Sequence, residues 1–360
     1  MPSRPRVLMV ARPPLAGVGF PRLAEAMAGE VDLVVTMPAR SGTAQRLADS
    51  GVEVVDLPDL KGSRLVTWLT RLARSRARQV VHTQTLAAAV PGATAARVLG
   101  IPSVWHVREI VGNPLPGRAL PATAPATLRR LSATLPSLVM ASSAVALAAL
   151  PGARFGRVVA DPVPDLRFVP HDAAEPVRRI GIGGRVARQH GQDVFVEAFG
   201  RAFRDRPEVT GLLLGRPTSP ESRFSARLRS AASAWDVADR IVHAGRVPDM
   251  TALLPTLDVL VHASRPPGGF RAIVVEAMQA GVPVVVTSGT GAAEAVDDEV
   301  SGLVVPPEDV GALEFALARL EADPGLRSSV AAGGRRRAAD FLPRHGVDAV
   351  LNGYLEVLGR

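Results

Sequence analysis

The chain has 360 residues, enough for two domains that each bury a core, and its 47% hydrophobic and 21% charged content is that of a soluble globular protein. It has no cysteine, which excludes disulfides, thiol catalysis and cysteine-ligated metal sites. The formal net charge of +8 is almost all arginine, with Lys61 the only lysine; this suits phosphorylated substrates, an anionic membrane face or nucleic acid, and a single tyrosine ranks nucleic acid last.

The first apolar run, Val7–Ala11, is followed by Pro13 and Pro14 and is too short for a signal peptide or a membrane span; no later run reaches spanning length, so a cytoplasmic protein is expected. Apolar runs predict strands at Val7–Ala11, Val31–Val35, Val52–Leu57, Gln79–His82, Ser103–His106 and Ser137–Ala141. Helical periodicity falls between them, at Pro21–Ala28, Arg64–Arg76, Ala87–Leu99 and Leu120–Leu135. The alternation is that of a doubly wound α/β domain. The stretch from Asp161 to Pro176 is rich in Pro and Asp, lacks a period, and reads as a linker.

A second alternating set follows. Strands are predicted at Arg178–Gly183, Thr210–Leu214, Arg240–His243, Asp258–His262, Val282–Thr287 and Leu303–Val305. Helices are predicted at Gln192–Phe203, Ser222–Trp235, Ile273–Ala280, Val310–Ala322 and Leu326–Phe341, with a last amphipathic stretch at Val347–Leu358. Domain boundaries follow: residues 1–165, residues 166–342, and a terminal helix in 343–360.

Two Gly-rich turns carry the chemical signal. Gly183, Gly184 and Arg185 end one strand, and His190 and Gly191 open the next helix. This sets Arg185 and His190 at the carboxyl edge of a parallel sheet, where both can meet phosphate oxygens; a surface arginine and a helix-capping histidine fit equally well. The second turn, Pro266–Phe270, precedes a helix bearing Glu276; its N–H groups suit a phosphate, and the carboxylate suits a ribose diol. His106 and Glu109 lie in WHVRE after a predicted strand, where His106 is either a satisfied structural group or a cleft residue, and Arg108 either pairs locally or binds an anionic acceptor. Arg64–Arg78 reads as a sheet-covering helix with a solvated basic face, a face that also suits peripheral contact with anionic lipid. There is no Asp-x-Asp pair, no metal-ligand spacing among the seven histidines, no Gly-x-Ser-x-Gly and no complete Gly-x-Gly-x-x-Gly, which argues against metal-held diphosphate, hydrolase and NAD chemistry.

The segments GGRVARQHGQDVFVEAF, RIVHAGRVPDMTALLPTLDVLVHAS and GGFRAIVVEAMQAGVPVVVT resemble glycosyltransferase family 4, and the first half is similar in AGVGF, GIPSVWHVREI and VVADPVPDLRFVP. The resemblance implies the GT-B fold: two Rossmann-like domains facing across a cleft, an acceptor domain first and a nucleotide-sugar domain second, with the C-terminal helix returning to the first. It implies a retaining transferase that uses a nucleotide-diphosphate sugar and needs no metal or other cofactor. Arg185 and His190 would meet the donor diphosphate, and His106 the region of the reacting carbon. Glu276 would hold the ribose, and the backbone at Gly269, Phe270, Arg271 and Ala272 the phosphate or sugar. Arg246 and Val247 would face the base, and Gly17 and Gly19 would let a loop approach the sugar. The chain departs from the family pattern in having Gly268 eight positions before Glu276 in place of Glu, His190 in place of Lys, and Arg271 in place of Gly. Gly268 points to an unusual donor sugar. Two other readings belong beside transfer: an epimerase or phosphorylase of the same fold, and a non-catalytic sugar-nucleotide-binding partner.

Overall fold

The computed structural model describes residues 4–12, 19–108, 126–150, 152, 153, 155–166, 168, 172, 175–216, 223–247 and 249–359. The chain divides into two compact units, one formed by Met1–Pro164 with Phe341–Arg360 and the other by Asp165–Asp340.

In the first unit the described strands are β1 (Arg6–Val10), β2 (Asp32–Met37), β3 (Glu53–Asp56), β4 (Val80–Thr83), β5 (Ser103–Val107), β6 (Leu138–Ala141) and β7 (Gly156–Val158). They form one parallel sheet in the order β3-β2-β1-β4-β5-β6-β7, with Val7 in register with Leu33 on one side and Val80 on the other. The helices between them are α1 (Gly19–Met27), α2 (Gly42–Asp49), α3 (Gly62–Ser75), α4 (Leu86–Leu99), α5 (Ala126–Thr134) and α6 (Ala144–Ala148). The central strands are buried on both faces, which is why they read as unbroken apolar runs. In α3, Leu65, Leu69 and Ala73 recur every four residues and cover the sheet, while Arg64, Arg71 and Arg74 face solvent. Arg76 and Arg78 turn back to pair with Glu53 and Asp32 at 2.8 and 2.9 Å.

The second unit holds β8 (Arg179–Gly183), β9 (Thr210–Leu214), β10 (Ile241–Gly245), β11 (Val259–His262), β12 (Val284–Thr287) and β13 (Leu303–Val305), parallel in the order β10-β9-β8-β11-β12-β13. Its helices are α7 (Gln192–Phe203), α8 (Arg223–Ala234), α9 (Met250–Leu253), α10 (Ala272–Gln279), α11 (Val310–Ala322) and α12 (Pro324–Ala338). Phe195, Phe199 and Phe203 line one face of α7 with ring centroids 5.9 and 5.3 Å apart, and they anchor the core. Asp309 and Asp323 cap α11 and α12, accepting from Ala312 N and Leu326 N.

The last helix, α13 (Pro343–Leu358), belongs to the first unit. Val347, Val350, Tyr354 and Val357 join the core around Val7, Met9 and Leu23. Gly353 lies so close to β6 that a Cβ there would stand 2.2 Å from Met140 Cε. Two doubly wound sheets and a returning terminal helix are what the resemblance implied. Elements not anticipated are α2, α6, α9 and the exposed strand β7, while the amino end of the helix expected at Leu120–Leu135 lies outside the described residues. No helix of the described residues is long and apolar enough to cross a membrane.

Candidate functional site

Both sheets reverse their strand order between the first strand of the unit and the fourth, and the crevice at such a point is where open α/β sheets bind ligands. In the second unit this point lies between the carboxyl ends of β8 and β11, so residues 184–191 and 263–272 meet there. Gly191 makes that meeting feasible. Its φ is +71°, and a Cβ on it would stand 1.9 Å from the carbonyl oxygen of Ala263, a space only glycine leaves open.

The two segments are bound together by Arg265. Its guanidinium donates to Asp193 at 3.0 and 3.1 Å, to Glu308 at 2.5 Å and to the carbonyl of Arg188, and its own N–H donates to the carbonyl of Gln189 at 3.0 Å. Gln192 shapes the other side: its amide nitrogen donates to the carbonyl of Arg185 at 3.0 Å and its amide oxygen accepts from Ala187 N at 3.3 Å. Arg185 is thereby held at the edge with its side chain exposed.

His190 is buried against this edge. Its Nδ1 lies 3.4 Å from Ser264 Oγ, which lies 3.1 Å from His262 Nε2. Burial first, then the charges of Arg271 and Arg185, push the His190 pKa down from the ordinary 6.5 to about 4. Burial and the Arg271 charge, with a smaller push from His190, hold His262 at about 3. Both rings are therefore neutral at pH 7, and the hydroxyl of Ser264, with one proton, links them by donating to one ring and accepting from the other. A Cβ on Gly184, the residue before Arg185, would stand 3.1 Å from His190 Cγ, so Arg185 and His190 share one locality, and the charges of Arg185 and Arg271 both act on the imidazole.

The turn after β11 runs through Gly268, Gly269 and Phe270 into α10, and Arg271 is the residue before its first turn. Gly268 is buried, and its carbonyl accepts from Gly291 N at 2.6 Å. A Cβ at Gly268 would lie 3.3 Å from both Thr290 Cβ and Thr290 Cγ2, so a Cβ there requires Thr290 to shift by a few tenths of an ångström. Ala272 opens α10, a helix start with free N–H groups, and Glu276 is one turn further on and buried. Arg246, exposed, and Val247, half-buried, follow β10 on the same edge, two strands from β8.

The remaining expected residues belong to the first unit. Gly17 lies outside the described residues, as does Glu109. Gly19 starts α1, and a Cβ on it would overlap the carboxylate of Asp161, 2.0 Å from Oδ2. That carboxylate accepts from Arg108 Nε at 2.5 Å, and Arg108 also donates to Gln84 Oε1. Arg108 thus pairs locally, which resolves the choice left by the sequence. His106 is fully buried, with Nδ1 3.3 Å from Arg108 Nη2 and Nε2 3.3 Å from the carbonyl of Val159. Because a guanidinium only donates, Nδ1 accepts and Nε2 carries the proton; burial and the Arg108 charge keep the ring neutral. It stacks on His82 at 5.6 Å, and His82 Nδ1 lies 2.5 Å from the hydroxyl of Tyr354 on α13. His82, Gln84, Asp161, Arg265, Gln192, Ser264 and His262 were not singled out from the sequence, and no periodic pattern marks them.

Two doubly wound sheets with a basic, glycine-turned crevice at the switch point of the second define a protein of the GT-B class. Residues 177–323, within this second unit, match the family model described as glycosyl transferases group 1. It is 31% identical over 171 residues to the lipopolysaccharide core biosynthesis mannosyltransferase LpsB of Rhizobium meliloti, a match that covers 46% of this chain and 48% of that one. It is 29% identical over 217 residues to a D-inositol 3-phosphate glycosyltransferase of Acidothermus cellulolyticus, covering 56% and 48%. The chain thus spans about half the length of these curated relatives. Among solved structures, Anabaena Alr3699/HepE in complex with UDP superposes with a TM-score of 0.84 at 20% identity, over 98% of this chain and all of that one.

Proposed function

We propose that the chain transfers a sugar, with retention at the anomeric carbon, from a nucleotide-diphosphate sugar held by the second unit to an acceptor recognised by the first. The observation that carries this reading is the convergence of Arg185, His190, Arg271 and the start of α10 at the switch point of β8 and β11. All of these donate hydrogen bonds or carry positive charge, as a diphosphate requires. Similarity to transferases in this unit, and to the fold of a protein solved with UDP, supports the same reading.

In the mechanism, the acceptor hydroxyl bonds to the anomeric carbon as the carbon–oxygen bond to the diphosphate breaks, and the departing phosphate oxygen takes the hydroxyl proton. Negative charge grows on the diphosphate as that bond breaks. Arg185 and Arg271 meet it with charge, His190 with a hydrogen bond from a neutral ring, and Gly269–Ala272 with backbone N–H groups already in place. Glu276 accepts from the ribose hydroxyls, and the backbone at Arg246 and Val247 borders the base. Gly268 leaves room beside the sugar, so a deoxy, amino or otherwise modified sugar is the proposed donor. His106 acts by positioning Arg108.

A thermal-shift screen of nucleoside diphosphates and nucleotide sugars, followed by a transfer assay with the tightest donor, tests the proposal. Stabilisation by no nucleotide would sink it; turnover of donor to a new nucleotide sugar without any acceptor would replace it with the epimerase reading. The exposed Arg64, Arg71 and Arg74 of α3 extend the proposal to contact with anionic membrane, and failure to sediment with phosphatidylglycerol vesicles at low salt would remove that part.

A further inference from the structure

At the carboxyl edge of the first sheet, Gln84 Nε2, Thr85 Oγ1 and Trp105 Nε1 are buried polar side-chain atoms that have no partner among the described residues. Their residues are 4%, 9% and 1% exposed, and all three line one small cavity together with Leu86, His106 and Arg108. An orphan buried donor costs about 1–3 kcal/mol, so three around one cavity call for a common partner.

The orientation of each group follows from its neighbours. Arg108 can only donate, so Gln84 must turn its amide oxygen toward the guanidinium, and its NH2 is then directed elsewhere. Thr85 stands at the cap position of α4, yet its hydroxyl caps no backbone N–H of that helix. Trp105 Nε1 can only donate. Leu86 and Ala87 are the first residues of the 14-residue α4, where backbone N–H groups have no acceptor within the helix and the helix dipole is positive. The cavity therefore presents an amide N–H, an indole N–H, a helix start and one hydroxyl able to donate. Its charged neighbour among the described residues is Arg108, already balanced by Asp161, and its histidine is neutral. Such a set is complementary to an oxygen atom with excess negative charge.

We propose that this cavity, at the ends of β4 and β5, binds one oxyanion group, a carboxylate or a phosphate, through Gln84, Thr85 and Trp105. On the reading of the chain as a transferase, on which this part rests, that group belongs to the acceptor, which is anionic. One oxygen enters between the indole and the amide, and the rest of the group lies over the start of α4.

The test uses the full chain labelled with 15N-tryptophan. Its three indole N–H signals come from Trp68, Trp105 and Trp235, and Trp105→Phe assigns the one that matters. Sodium phosphate, sodium acetate and, as controls, sodium chloride and glycerol are titrated at constant ionic strength. A saturable shift of the Trp105 signal with phosphate, acetate or both, and with neither control, is expected; which anion acts tells whether the acceptor carries a phosphate or a carboxylate. Gln84→Leu and Thr85→Val should each weaken that response about tenfold, with the Trp68 and Trp235 signals reporting that the variants are folded. A Trp105 signal that neither anion moves, that chloride or glycerol moves equally, or that responds unchanged in both variants overturns the site. The readout needs no turnover and no nucleotide, so its failure would leave the transferase reading standing, and failure of nucleotide binding would leave this result intact.

Discussion

Mild acid should destabilise this protein before its carboxylates titrate. His190 and His262 in the second unit are held at about 4 and about 3, and His82 in the first at about 3, with His106 also far below its ordinary value. In each case burial is the largest cause and arginine charge the next. The unfolded chain returns each ring to about 6.5, so between the folded and unfolded values the unfolded state binds more protons, and stability rises with pH. The contribution is therefore complete above about pH 6.5 and is lost as pH falls toward 4. At pH 5 each of His190, His262 and His82 costs about 2 kcal/mol, hence about 4 kcal/mol in the second unit, against a typical domain stability of about 5–15 kcal/mol. Urea unfolding at pH 7, 6 and 5 measures the loss. The variant His190→Gln keeps an amide able to bond Ser264 but does not titrate, so its stability should fall with pH less steeply, by about 1.4 kcal/mol per unit below pH 6. A wild type equally stable at pH 7 and pH 5, or a His190→Gln slope equal to the wild type's, would refute the assignment of neutral buried rings.

Three further outcomes follow from the proposed site. Arg185→Ala should lower kcat at saturating donor about 100-fold or more, since the lost interaction strengthens as the diphosphate gains charge; unchanged kcat removes Arg185 from the site. Glu276→Ala should weaken binding of the free nucleoside diphosphate about 10- to 100-fold by calorimetry, the worth of a charged hydrogen bond, and an unchanged affinity would make Glu276 structural only. Gly268→Glu has room for its Cβ with a small adjustment of Thr290, so it should fold and shift donor choice toward ordinary hexoses; a wild type that already prefers UDP-glucose or UDP-N-acetylglucosamine by a wide margin contradicts the reading of that glycine.

What the sequence made legible was whatever a local pattern encodes. Doubly buried parallel strands are continuous apolar runs, so β1, β4, β8 and β12 announced themselves, and a glycine turn before a helix marks a phosphate-sized space wherever it falls. Strand β7 gave no signal because all three of its residues are exposed, and α2 is short and mostly polar, with Ser41 as its cap. Arg265 was invisible for another reason: its partners Asp193 and Glu308 lie 72 and 43 positions away, and no period connects them. His106 shows the limit on a single residue. Its place at a strand end was legible, but the face it takes was not, and that face decides whether the ring meets a ligand or, as found, Arg108 and the carbonyl of Val159.

The two sheet edges share a topology and differ in how they treat charge. At the second, Arg185 is exposed and Arg271 acts on two neutral histidines, so the crevice is positive, as the proposed diphosphate leaving group requires. At the first, Asp161 neutralises Arg108, and Gly19 is the residue that makes room for that carboxylate. What remains there is a set of neutral donors. Neutral donors hold an anion whose charge does not change during a reaction without adding electrostatic preference for one step over another. A full positive charge is needed only where charge develops. The division of arginine between an open position in one unit and a paired one in the other therefore fits a leaving group on the second unit and a spectator anion on the first.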